Sequence, residues 1–131
     1  MPTPTEVVTD LLDRLEQPGG FADAVRATFT DTTRYLNVGM SDTTGIAEAL
    51  AFVERFESFT GANCLRVEML AIAENGETVF TERIDHLIAP DGHVVRSIRI
   101  LGVFEVSGGK IAGWRDYFDT AALAPASPQP A

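Results

Sequence analysis

Residues 77–118 read ETVFTERIDHLIAPDGHVVRSIRILGVFEVSGGKIAGWRDYF. Pro90-Asp91-Gly92 and Gly108-Gly109 are turn signals that cut this stretch into three extended runs. Asn75-Gly76, just upstream, sets off a fourth run that begins at Leu65. In a strand, alternate side chains go to opposite faces. On that parity Val79, Thr81, Arg83, Asp85, Leu87 and Ala89 share one face, and Phe80, Glu82, Ile84, His86 and Ile88 share the other. Both faces are partly apolar, so alternation leaves open which one is inside. In the last run Lys110, Ala112, Trp114, Asp116 and Phe118 fall together, opposite Ile111, Gly113, Arg115 and Tyr117. Asp116 is the anomaly. A carboxylate between two large apolar side chains must find a partner or lose its charge.

Upstream the periodicity is helical. In TPTEVVTDLLDRLEQPGG, Thr3 serves as cap, Pro4 as first helical residue and Glu6 as the far end of a capping box. Val8, Leu11, Leu12 and Leu15 form one apolar stripe, and Pro18-Gly19-Gly20 stops it. FADAVRATF reads as a second, short helix. TTRYLNVGM reads as a strand, with Arg34 and Leu36 facing one way and Tyr35 and Asn37 the other. SDTTGIAEALAFVERFES is helical again, with Ile46, Leu50, Val53 and Phe56 on one face and Gly61 near its end. Helices followed by hairpin-linked strands predict one α+β domain over residues 1–120, a curved sheet wrapped on the helices around a pocket. Residues 121–131 are expected to be a disordered Pro/Ala-rich tail.

The 131-residue length suffices for a single core. Acidic residues outnumber basic ones 19 to 10, which disfavours nucleic acid or an anionic membrane surface as partner. One cysteine, Cys64, permits no intramolecular disulfide, and with two histidines and no thiolate cluster no metal site is expected. Nothing resembles a signal peptide or a membrane span, so a cytoplasmic location is expected. His86 has the wrong parity for the face of Arg83 and Asp85, His93 lies beside a turn, Asp119 reads as a cap, and Arg115 and Glu105 as surface charges.

Arg83 with Asp85, Tyr35 with Asn37, and Asp116 are the candidate functional residues. Taken singly, an Arg-x-Asp pair on a strand is most often a surface ion pair. Taken together they suit acid–base chemistry. Two carboxylates sharing an arginine tend to hold one proton between them, so one is base and the other acid. A phenol and an amide beside the base could fix a water molecule.

The motifs ERID and ILGVFEVSGGKIAGWRDYFD, with RYLN upstream, resemble the limonene-1,2-epoxide hydrolase family from about Tyr35 to Asp119. The resemblance implies a cone-like mixed sheet enclosing a deep apolar pocket, a homodimer, and no cofactor. It implies that Asp116 deprotonates a water held by Tyr35 and Asn37, that Asp85 protonates the epoxide oxygen, and that Arg83 bridges the two aspartates. Leu87, Ile98, Ile100 and Phe118 match apolar pocket positions of the family, and Trp114 would brace Asp116 at the pocket wall. The rivals are a ketosteroid-isomerase-like isomerase, a polyketide or epoxide-opening cyclase, and a hydrophobic-ligand binder without catalysis.

Overall fold

The computed structural model describes residues 1–122, so the tail expected from residue 121 lies, from 123 onward, outside the described residues. Helices α1 (Pro4–Arg14) and α2 (Gly20–Thr28) lead into strands β1 (Phe29–Asn37) and β2 (Ser41–Thr44). Helix α3 (Gly45–Thr60) follows, then β3 (Cys64–Asn75), β4 (Thr78–Ile88), β5 (Val94–Ser107) and β6 (Lys110–Tyr117). The α1 capping box forms as expected: Glu6 N–H donates to Thr3 Oγ1, and Thr3 N–H donates to Glu6 Oε1. The third helix begins four residues later than its periodicity suggests. Ser41–Thr44 instead pairs antiparallel with β1, because Gly45 at φ +87° turns the chain where a Cβ would sit 2.7 Å from the Asp31 carbonyl oxygen. Its buried seam is Ala49, Phe52 and Val53, with Ile46, Leu50 and Phe56 flanking it half-buried.

The six strands form one mixed sheet in the order β2-β1-β6-β5-β4-β3, in which β1 runs parallel to β6 and all other neighbours are antiparallel. The inner face of β4 is the Val79, Thr81, Arg83, Asp85, Leu87 set, every member buried. On β6 the expected alternation breaks. Ile111 is buried and Lys110 and Ala112 are exposed, yet Trp114 and Asp116 are buried. A register shift between Glu105 and Val106 of β5 leaves Ala112 without an opposite residue, a bulge that reverses the parity midway. Lys110 and Ala112 therefore do not share the face of Trp114; Ile111 does.

The three helices cover that inner face and bury Leu11, Leu15, Phe21, Phe52 and Val53 against Phe29, Leu65, Phe104 and Ile111. The backbone N–H of Leu65 donates to the Leu15 carbonyl at 2.8 Å, pinning the end of α1 to the start of β3. Cys64 is half-buried at that junction and its thiol is free. Among the described residues no helix is long and apolar enough to cross a membrane.

Candidate active site

The site begins with strand parity. Arg83 and Asp85 are two apart on β4, Trp114 and Asp116 two apart on β6, and Tyr35 and Asn37 two apart on β1. The parallel register sets Tyr35 beside Trp114 and Asn37 beside Asp116. Between β4 and β6 runs β5, which opposes Asp116 with Gly102. With no side chain there, Arg83 can reach across. A Cβ on Gly102 would lie 2.3 Å from Arg83 Nη1, 2.8 Å from Thr81 Oγ1 and 2.9 Å from Asp116 Oδ1.

Arg83 is fully buried, and its guanidinium is the hub. Nε donates to Asp85 Oδ1 at 3.0 Å, and Nη2 donates to Asp85 Oδ2 at 3.3 Å and to Asp116 Oδ2 at 2.6 Å. Nη1 donates to Thr81 Oγ1 at 3.0 Å. The other carboxylate oxygen of Asp116, Oδ1, accepts from the indole Nε1–H of Trp114 at 2.7 Å. Burial alone would favour a neutral guanidinium. The charges of Asp116 and Asp85 and their hydrogen bonds outweigh it, so Arg83 stays firmly protonated.

With one cation between two acids, the cluster is neutral only if one carboxyl keeps its proton. Burial pushes the Asp85 carboxyl above the ordinary aspartate range; the Arg83 charge pulls it down, and the Asp116 charge pushes it up again. Tyr35 is held well above its ordinary value, first by burial and then by the Asp116 charge, against a hydrogen bond from Asn37. It is a protonated phenol and a donor. Asn37 also donates from Nδ2 to Ser41 Oγ at 3.2 Å.

These groups face one cavity of about 30 Å³ between the sheet and the helices, large enough for the centres of one or two water molecules. Of the ten sequence-derived candidates, Tyr35, Asn37, Asp85, Leu87, Ile98, Ile100, Trp114, Asp116 and Phe118 line it; Arg83 lies behind the wall. In place of the deep pocket expected from the resemblance there is this small cavity, whose lining Phe21, Phe52 and Phe56 of the helices share with Met40 of the β1–β2 turn.

Sequence reading missed Gly102 and the helix-borne lining. A lone glycine in the alternating run ILGVF is a signal of close backbone approach that could have located Gly102. Thr81 shares the parity of Arg83 and Asp85 and was within reach of the same argument. No comparable signal tells which helix face closes over the sheet. His86 points away, as its parity predicts, and bridges Ser97 Oγ at 2.7 Å and Glu68 Oε1 at 3.0 Å on the outer face. His93 is exposed and hydrogen-bonds Asp91, Asp119 caps the short turn at Thr120–Ala122, and Arg115 pairs with Glu105 at 3.3 Å. Among the described residues no three His, Cys, Asp or Glu side chains come together in a way that could hold a metal.

Residues 2–128 match the model of the limonene-1,2-epoxide hydrolase catalytic domain. The chain is 37% identical over 97 residues, 74% of its length, to the epoxide hydrolase EphG of Mycobacterium tuberculosis, and the match spans 62% of that relative. Among solved structures it resembles a limonene-epoxide-hydrolase-like epoxide hydrolase of M. tuberculosis. Identity there is 31% and the TM-score 0.70, covering 92% of this chain and 85% of the other. A protein with a ketosteroid-isomerase-like fold from Catenulispora acidiphila matches with TM-score 0.74 at 16% identity, covering 93% and 91% of the two chains. A protein from Jannaschia sp. CCS1 described as a SnoaL-like polyketide cyclase matches with TM-score 0.69 at 23% identity, covering 94% and 93%. The last two likenesses are of fold alone.

Proposed function

The chain belongs to the limonene-1,2-epoxide hydrolase family, and from this we propose that it adds water to a small apolar epoxide to give a vicinal diol. The observation that carries the reading is the shared guanidinium: Arg83 Nη2 bonds both Asp85 and Asp116, and the two acids line one water-sized cavity. Asp116, facing Tyr35 and Asn37, is the base. It takes a proton from water as the water oxygen bonds to one epoxide carbon. The bond from that carbon to the ring oxygen breaks as the new one forms, and Asp85 delivers its proton to the departing ring oxygen, which becomes the second hydroxyl. No covalent enzyme intermediate forms. The step leaves Asp116 protonated and Asp85 ionised, and exchange with solvent restores the starting state.

Acid, base and water suffice for this balance, so the reaction asks for no cofactor. The cavity walls Leu87, Ile98, Ile100 and Phe118 are apolar, which suits a neutral epoxide of terpene, cycloalkene or styrene type. Ordinary ligand sites measure roughly 300–1,000 Å³, so side chains of the cavity lining must yield for such a substrate to enter. The outer sheet face carries exposed Phe80, Leu101 and Tyr117, and a second copy of this chain is the partner we assign to it.

The test is diol formation from a panel of such epoxides with wild type and Asp116→Asn. Loss of a general base is expected to lower the rate by about 10²- to 10⁴-fold. An isomerase on the same fold would turn over a ketone without taking oxygen from solvent, and a simple binder would tolerate Asp116→Asn. Either result would displace the hydrolase reading.

A further inference from the structure

Arg83 does not by itself make Asp116 the base, since it donates twice to Asp85 and once to Asp116. We propose that the indole N–H of Trp114 is the positioning group that makes Asp116 the base and leaves Asp85 the acid, an inference that rests on the acid–base reading above.

With Trp114 each acid accepts two hydrogen bonds, and those on Asp116 are the shorter, at 2.6 and 2.7 Å against 3.0 and 3.3 Å on Asp85. Trp114 supplies the one further donor to the pair that the structure describes, and it is aimed at Asp116 Oδ1. Donors to a carboxylate favour its ionised form, and an indole N–H can only donate. It therefore favours the state in which Asp116 has lost its proton and Asp85 keeps it. The donor cannot swing away. The Trp114 ring is 2% exposed and stacks on Tyr35, with centroids 4.2 Å apart at 18°, and on Phe104 at 5.1 Å and 26°. The edge of Phe29 meets it at 88°.

The titratable or charged groups that face Asp116 are Arg83 and Asp85 from β4 and Tyr35 from β1. From β5 Gly102 brings only backbone, and the helices bring Leu15, Phe21, Phe52 and Phe56. His86 acts on Asp85 through the strand from the outer face. Of these only Arg83 is a hydrogen-bond donor to the acids, and it bonds both.

Trp114→Phe keeps an aromatic ring and deletes the donor. Every state with Asp116 ionised is destabilised to the same extent. The acidic limb of the bell-shaped kcat profile then moves up by about one pH unit, while the alkaline limb and kcat at the optimum stay close to wild type. Loss of packing alone would lower kcat and leave both limbs in place, which would overturn the proposal.

Trp114 is the chain's single tryptophan, so its indole ¹⁵N–¹H resonance is unambiguous and needs no substrate. It is expected far downfield at neutral pH, to move upfield in Asp116→Asn, and to stay downfield in Asp85→Asn. A resonance indifferent to Asp116→Asn would also overturn the proposal. Absence of any epoxide turnover by wild type would instead defeat the functional reading, and the resonance would still decide the role of Trp114.

Discussion

Asp85 and Gly102 carry the predictions that belong to single residues. Because the folded-state Asp85 carboxyl titrates above its unfolded counterpart, the folded chain binds the extra proton between the two values. The stability this contributes is fully present below the unfolded value, about 3.9, and is lost as pH rises through the folded one. Asp85→Asn, which mimics the protonated acid, escapes that loss. Its Tm relative to wild type should therefore rise as pH climbs above the unfolded aspartate value of about 3.9, while its epoxide activity is abolished; a difference that does not change with pH contradicts the assignment of Asp85 as the buried acid. Gly102→Ala places a methyl against three polar atoms of the hub. We expect kcat to fall by about 100-fold and unfolding in urea to cost about 1–3 kcal/mol. Wild-type kcat in this variant would mean that the guanidinium can shift without consequence. Asp116 was legible in sequence because Trp114 and Phe118 flank it. Gly102 was legible only as a glycine in an alternating run, because what makes it indispensable is a side chain arriving from the neighbouring strand.

At the scale of elements, strand parity located the site well where the ladder is regular and failed where it is not. On β4 the alternation from Val79 to Leu87 carries straight into the structure. On β6 the bulge moves Ile111 inside and Lys110 and Ala112 outside. A single alternating run does not reveal that its partner has slipped by one residue. The junction between α1 and α2 is equally unforgiving and equally hard to read. A Cβ at Gly20 would lie 1.7 Å from the Arg14 carbonyl oxygen, whereas at Gly19, φ +73°, nothing lies within 4 Å. Gly20→Ala should therefore lower stability in urea by about 2 kcal/mol or more. Gly19→Ala should cost only the left-handed backbone penalty of about 1 kcal/mol. Equal costs would contradict the close approach of the two helices that seats Phe21 over the cavity.

Across the whole molecule, the α+β class follows from the order of helical and alternating segments, the mixed sheet only from the family resemblance, and the structure bears out both. The width of the pocket does not follow, because it depends on how far Phe21, Phe52 and Phe56 descend from the helices. Self-association belongs to this scale as well. Leu101 is 57% exposed and cross-strand from Tyr117 on the outer face, with Arg99 and Glu82 at the margin. An apolar centre with a charged rim is the usual anatomy of a homodimer interface. Sedimentation equilibrium should return a dimer mass for the full chain and a monomer for Leu101→Asp; a monomeric wild type contradicts the assignment. The account as a whole rests on direct attack by water inside the aspartate–arginine cavity. The measurement that tests it most directly is a single turnover of an accepted epoxide in ¹⁸O-labelled water with enzyme in excess. The account predicts one labelled oxygen in the diol of that first turnover. Unlabelled diol, with the label lodged in a carboxylate of the protein, would contradict it.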